Sequence, residues 1–143
     1  MTKTYDRDAL LALPDKLSDL LELALSDLEK VEALPKYKVD MMQWHTNIGD
    51  VCAVCLAGSV LAMTGKMEYG LNYSASMLPR PIADKLLALN ALREGNVYAA
   101  EFYLTGAGSV HALDVVVTPY YQSPELFKAD IRRLILLLRE RKQ

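Results

Sequence analysis

A chain of 143 residues with 52% hydrophobic and 24% charged side chains has the make-up of a folded globular domain and excludes a disordered chain. At this length roughly 68–70% of the unfolded surface can be buried, so a core needs neither disulfides nor metal. A formal net charge of −2 excludes a global field that draws nucleic acid or an acidic membrane, and is too weak for a polyanion mimic of DNA.

The whole chain, residues 1–143, reads as one helical domain. Asp6 to Leu13 suggests a short helical lead-in, and Pro14 restarts the helix, because proline suits a first turn and not an interior. Leu17, Leu20, Leu21, Ala24, Leu28 and Val31 then follow helical spacing, with Lys16, Asp19, Glu22 and Asp27 off the stripe. This helix should end before Pro35. Tyr37 to Thr46 reads as extended, either one strand or a structured loop.

The run Val51 to Met63 holds no charge, and Ser59 is its only polar side chain apart from two cysteines. It falls short of the about 20 apolar residues a membrane span requires. It therefore reads as a buried central helix, roughly Ile48 to Thr64, launched by Asn47 and Asp50 as a capping box and ended by Gly65. Lys66 to Pro79 has no clean period and reads as a loop, a place where sites are often carried. Pro81 starts another helix with Ile82, Leu86 and Leu89 inward, and Gly95 stops it. Asn96 caps a following helix, Val97 to Leu104. His111 to Tyr121 reads as a strand through Val115–Val117 or as the continuation of a helix, the β-branched run favouring the strand, and Ser123-Pro124-Glu125 is a strong helix start. The last helix, to about Arg139, turns Phe127, Ile131, Leu134 and Leu138 inward. The expected fold is therefore mainly α: five or six helices bundled around the central apolar one, with at most a small two-stranded β element.

The charge is unevenly placed. Residues 1–30 carry seven acids against four bases, and residues 123–143 carry six bases against three acids. The simplest account is two terminal helices lying side by side with complementary rims. A competing account is nucleic-acid binding through Arg132, Arg133, Arg139 and Arg141, which would weaken steeply with salt. The two cysteines do not make a secreted disulfide framework, and Met1 to Asp8 lacks a basic leader. The expectation is a cytoplasmic protein with reduced thiols.

Candidate chemistry centres on Cys52-x-x-Cys55. A redox pair of this kind belongs at a helix N-terminus after a strand, usually with Gly-Pro between the cysteines; here Ala-Val stands between them. Buried cysteine otherwise behaves as a small hydrophobe. Zinc would require Cys52, Cys55, His45 and His111 together, since the chain has no other Cys or His. A nucleophilic Cys52 with His45 as base and Asp50 or Asp114 as orienter is a further combination. Gly106-x-Gly108 lacks the lysine of a phosphate loop. No metal, cofactor or catalytic residue is expected on balance. A small-molecule or anion site at the N-terminus of the central helix, beside Cys52, stands as the enzymatic or ligand-binding alternative.

Eight tyrosines against two phenylalanines suit surfaces that are half buried and then covered. A Tyr/Met surface formed by Trp44, His45, Met67, Tyr69, Tyr73 and Met77 is the expected binding surface. Trp44-His45 followed by Cys-Ala-Val-Cys-Leu-Ala-Gly-Ser-Val-Leu-Ala, and Ala88 to Val97 (A-L-N-A-L-R-E-G-N-V), resemble small uncharacterised proteins of bacteriophages and prophages over about a third of the chain. The resemblance carries no catalytic residues. It implies a non-enzymatic accessory protein that binds a host protein in a bacterial cytoplasm, for example as an inhibitor of a host defence such as CRISPR. A homo-oligomer is a further expectation; neither nucleic acid nor a membrane is the expected partner.

Overall fold

The leucine periodicity becomes a helical framework in a computed structural model that describes residues 5–69, 71–106 and 115–143. The lead-in α1 (Arg7–Leu11) is capped by Asp6, whose side chain accepts the Ala9 N–H at 3.1 Å. Helix α2 (Leu17–Glu32) begins three residues after Pro14 and buries every member of the Leu17–Val31 stripe. Helix α3 (Leu56–Ala62) is buried along its whole length. Helix α4 (Arg80–Leu92) is followed by α5 (Val97–Thr105), where Asn96 accepts the Ala99 N–H at 3.0 Å. Ser123 caps α6 (Pro124–Glu140) by accepting the Leu126 N–H at 3.2 Å. These caps satisfy helix N–H groups that have no partner inside the helix.

Helix α2 packs on α3 and α6, α4 packs on α5, and α4 also touches α2 and α3. Leu20, Leu21, Leu28, Leu56, Leu61, Leu86, Leu89 and Ile131 meet in the core, each with no exposed surface. Each contributes about 2 kcal/mol by leaving water. The acidic rim of α2 faces the basic rim of α6: Arg139 reaches Glu22 at 2.8 Å and Asp19 at 3.6 Å, Arg132 reaches Glu29 at 3.4 Å, and Lys128 reaches Glu32 at 2.6 Å. No helix among the described residues is long and apolar enough to cross a membrane.

The expectation of a long central helix with at most two strands is overturned here. Alongside six helices the described residues form a three-stranded mixed sheet, β1 (Tyr37–Val39), β2 (His45–Ile48) and β3 (Val51–Val54), in the order β1–β3–β2. The apolar run splits into strand and helix: β3 takes its first four residues and α3 its second half. Strand β3 is central, with Cys52, Ala53 and Val54 all buried. A strand covered on both faces reads as a continuous apolar run, which periodicity cannot tell from a buried helix. Asn47 and Asp50 do not form a capping box. Instead Gly49 and Asp50 make a two-residue hairpin turn, with Gly49 at φ +60°, the residue and sign that a type II′ turn demands at its first position. Val115–Val117 has no regular structure and is not a strand of this sheet.

Two glycines let backbones meet. A Cβ on Gly58 of α3 would lie 1.5 Å from the Trp44 carbonyl oxygen, so α3 rests directly on the chain leading into β2. A Cβ on Gly95 would lie 1.8 Å from the Val115 carbonyl oxygen, and this glycine also holds φ +81°. The chain at Val115 therefore crosses the α4–α5 turn at backbone distance.

Asp27 sits inside this framework with only 3% of its surface exposed, accepting the Thr64 hydroxyl at 2.6 Å and standing 3.7 Å from Lys30. Burial pushes its carboxyl above the ordinary 3.8, against the opposing pull of Thr64 and Lys30. Below 3.8 both folded and unfolded carboxyls hold a proton. As pH rises the unfolded one ionises first, so stability falls from there through the raised native value and then levels. Asp27→Asn keeps an acceptor for Thr64 and removes this loss. The stability of the variant relative to the parent, from urea unfolding, is expected to be higher at pH 7 than at pH 3; an unchanged difference would mean that burying the charge costs nothing.

Candidate functional site

The sheet register assembles one of the constellations drawn from sequence. Tyr37 lies opposite Cys52 on one side, and His45 lies opposite Val54 on the other, so Tyr37, Cys52 and His45 share a face. Cys52 Sγ stands 3.5 Å from His45 Nδ1 and 3.7 Å from Nε2. A thiol in line with one ring nitrogen would lie much farther from the other, because the two lone pairs diverge. The near-equal distances place the sulfur over the ring face, the wrong approach for proton transfer. His45 Nδ1 donates to the Leu71 carbonyl at 2.6 Å, an acceptor that fixes the hydrogen on that nitrogen. Burial holds the imidazole below its usual value and therefore neutral. Both side chains have no exposed surface.

Cys55 is elsewhere in role. It is the N-cap of α3, its sulfur accepting the Gly58 N–H at 3.3 Å, and burial pushes its thiol up rather than activating it. Among the described residues no three His, Cys, Asp or Glu side chains gather as a metal site. The fourth zinc candidate His111, the orienter Asp114 and Gly108 of the Gly-x-Gly lie outside the described residues. The helix-end alternative lacks its helix, since Asn47 and Gly49 belong to the β2–β3 hairpin.

The surface expected around Trp44 and the Lys66–Pro79 loop is divided by the fold. His45 and Met67 are buried; Trp44 and Tyr73 are half-buried and pack against the core. Tyr69 and Met77 remain exposed. Tyr69 donates to the Asp50 carbonyl at 2.8 Å and meets Tyr37 edge-on at 5.7 Å, while Tyr73 meets Tyr5 at 5.9 Å. Of the four arginines, Arg132 and Arg139 are engaged with acids of α2.

A different concavity lies away from these residues. A groove of about 790 Å³ runs between β1 with its following turn and the segment leading into α6. Met41 and Met42 form one wall, Val117, Tyr120 and Tyr121 the other, and Phe127 underlies them. Its size falls in the range of ligand sites. The second wall is fixed by hydrogen bonds: Val115 N–H donates to Gly95 O at 3.4 Å and Thr118 N–H donates to Asp130 at 2.8 Å. That backbone donor, with the Thr118 hydroxyl and Arg133, holds the Asp130 carboxyl below its usual range. The first wall is tied down by Arg93, which donates to the Met41 carbonyl. Tyr120 meets Phe127 edge-on at 5.6 Å and donates to Glu32 at 2.5 Å. Desolvation and that carboxylate push the Tyr120 phenol well above its normal value, and the same carboxylate raises Lys128.

The walls are capped by apolar surface. Val116 (86% exposed), Tyr121 (85%) and Met42 (83%) are the three most exposed large apolar side chains among the described residues. Met42 and Tyr121 line the groove, and Val116 immediately precedes its Val117. Residues so far apart in sequence leave no local pattern. The adjacent Met41-Met42 and Tyr120-Tyr121 pairs were the available signal. Comparison with protein-family models, curated proteins and solved structures finds no match to this chain.

Proposed function

We propose that this chain is a non-catalytic binding protein that seats part of a partner protein in the Met42–Tyr121 groove. The observation that carries this is that Met42 and Tyr121, each more than four-fifths exposed, line one concavity from opposite walls. Large apolar side chains concentrated at a single concave site in water mark a surface meant to be covered. Paired methionines add adaptability, since the thioether chain refits to irregular surfaces. The resemblance of Trp44–Met63 and Ala88–Val97 to phage proteins supports a bacterial host protein as the partner and occlusion as the mode of action, with a host-defence component as one such target.

The test is a double substitution, Met42→Asp with Tyr121→Asp, in the tagged chain. Exposed positions of this kind change stability by about 0.5 kcal/mol or less, so the fold should survive. Recovery of a stoichiometric partner from bacterial lysate is expected to fall at least tenfold, with the thermal midpoint nearly unchanged. Undiminished recovery would remove the groove as the binding surface and return attention to Tyr69 and Met77.

A further inference from the structure

One bank of the groove is a sheet edge, and the phase of its hydrogen bonds determines what that edge offers. Cys52 N–H donates to Lys36 O at 2.9 Å, and Asp40 N–H donates to Val54 O at 2.8 Å. In a parallel ladder alternate residues turn their peptide groups toward the neighbour. With Tyr37 opposite Cys52 and Val39 opposite Val54, the residues bonding to β3 are Lys36, Lys38 and Asp40. Tyr37 and Val39 turn outward. The Tyr37 N–H is taken by Leu34 O at 3.1 Å. The Val39 N–H and C=O have no partner among the described residues, and β1 has no second neighbour in the sheet. Val39, with Lys38 and Asp40, lines the groove.

We infer that the groove takes an extended, mainly apolar peptide segment, which adds to the sheet as a fourth strand bonded to the N–H and C=O of Val39. This deepens the proposed function and rests on the groove being the binding surface. A peptide backbone is the partner whose donors and acceptors repeat at strand spacing, and strand addition to an open edge supplies affinity without requiring a particular sequence. Alternate side chains of such a strand would point at Met41, Val117 and Phe127, which selects apolar residues at every second position. The charges along the groove cancel, Lys38 and Arg93 against Asp40 and Glu94, so they favour neither an acidic nor a basic segment. A second copy of this chain pairing through β1 is the competing occupant, and light scattering distinguishes it.

The test uses the full chain and a display library of ten-residue peptides with Val, Ile, Leu or Phe at alternate positions and Ser, Thr, Lys or Glu between. The strongest binder is remade with single N-methyl groups along its backbone, and affinities are measured by fluorescence anisotropy. N-methylation in one alternating phase is expected to weaken binding at least tenfold, and in the other phase hardly at all. Val39→Pro removes the edge donor without touching the β1–β3 ladder and should weaken binding similarly. Equal tolerance of both phases, or a library with no binder, overturns strand addition, as does a dimer by light scattering that Val39→Pro dissolves. If Met42→Asp with Tyr121→Asp abolishes peptide binding while N-methylation does not, the groove reading survives and only the strand mode fails. If neither change matters, both fail.

Discussion

Gly58→Ala is expected to destabilise the protein by about 3 kcal/mol or more, toward the upper end of what overpacking produces. The added methyl would lie 1.5 Å from the Trp44 oxygen, 2.7 Å from its carbonyl carbon and 3.1 Å from Val54 Cβ. Two of those neighbours are backbone, so no rotamer change makes room. Either α3 lifts from the sheet or the chain entering β2 moves, and His45 with it. Gly49→Ala is the control. There φ is +60° but nothing lies within 4 Å, so only conformational strain of about 1 kcal/mol is at stake. Urea unfolding of both variants checks the difference. Soluble Gly49→Ala beside insoluble Gly58→Ala would express the same ranking, whereas equal midpoints would show that Trp44 is not in contact with α3.

Removing Glu32 is expected to have the second largest effect, about 2 kcal/mol for Glu32→Ala. One carboxylate serves both the Lys128 ammonium at 2.6 Å and the Tyr120 hydroxyl at 2.5 Å. Among the described residues Lys128 otherwise pairs only with exposed Glu125, at 3.9 Å. Truncating Glu32 strands a largely buried ammonium and a half-buried phenol, and an orphaned group costs more than the net value of the bond it made. Glu32→Gln leaves an acceptor for one of them, and Tyr120→Phe removes a single bond. The expected order of loss in thermal unfolding is Glu32→Ala, then Glu32→Gln, then Tyr120→Phe. A Tyr120→Phe loss equal to that of Glu32→Ala would mean that Lys128 does not depend on this carboxylate. Tyr120 is a wall of the groove, so Glu32→Ala should also weaken whatever binds there, although Glu32 does not line it.

The helices were legible because their signals are local. The α2 stripe repeats within one element, Asn96 and Ser123 cap the helix that immediately follows each, and Phe127, Ile131, Leu134 and Leu138 recur at helical spacing. The sheet was harder to read because β3 is buried on both faces, which erases the alternation that marks a half-covered strand. Ile48-Gly49-Asp50-Val51 did carry a hairpin signal, a Gly-Asp pair between β-branched residues. It was outweighed by the uninterrupted apolar run beyond it. His45 and Cys52 could be paired on paper, yet only the β2–β3 register shows that they meet with sulfur over the ring. Met67 and Met77 look alike in sequence, and only packing sends one inside and leaves the other exposed. The groove was out of reach, since β1, Arg93, Val117 and Tyr121 become neighbours only when α4 and α6 close on α2.

The strand order β1–β3–β2 also bears on how this molecule opens. The β2–β3 hairpin closes through a two-residue turn and needs no other element. Strand β1 instead reaches β3 across the intervening turn and strand β2, a longer loop with a larger closure entropy and only three residues of pairing in return. It is the seam expected to form last and part first, while the hairpin and the α2–α6 pair stay shut. Anything that clasps β1 from outside therefore acts as a latch on the weakest cooperative unit, and its binding energy appears as protection of that seam against opening and proteolysis.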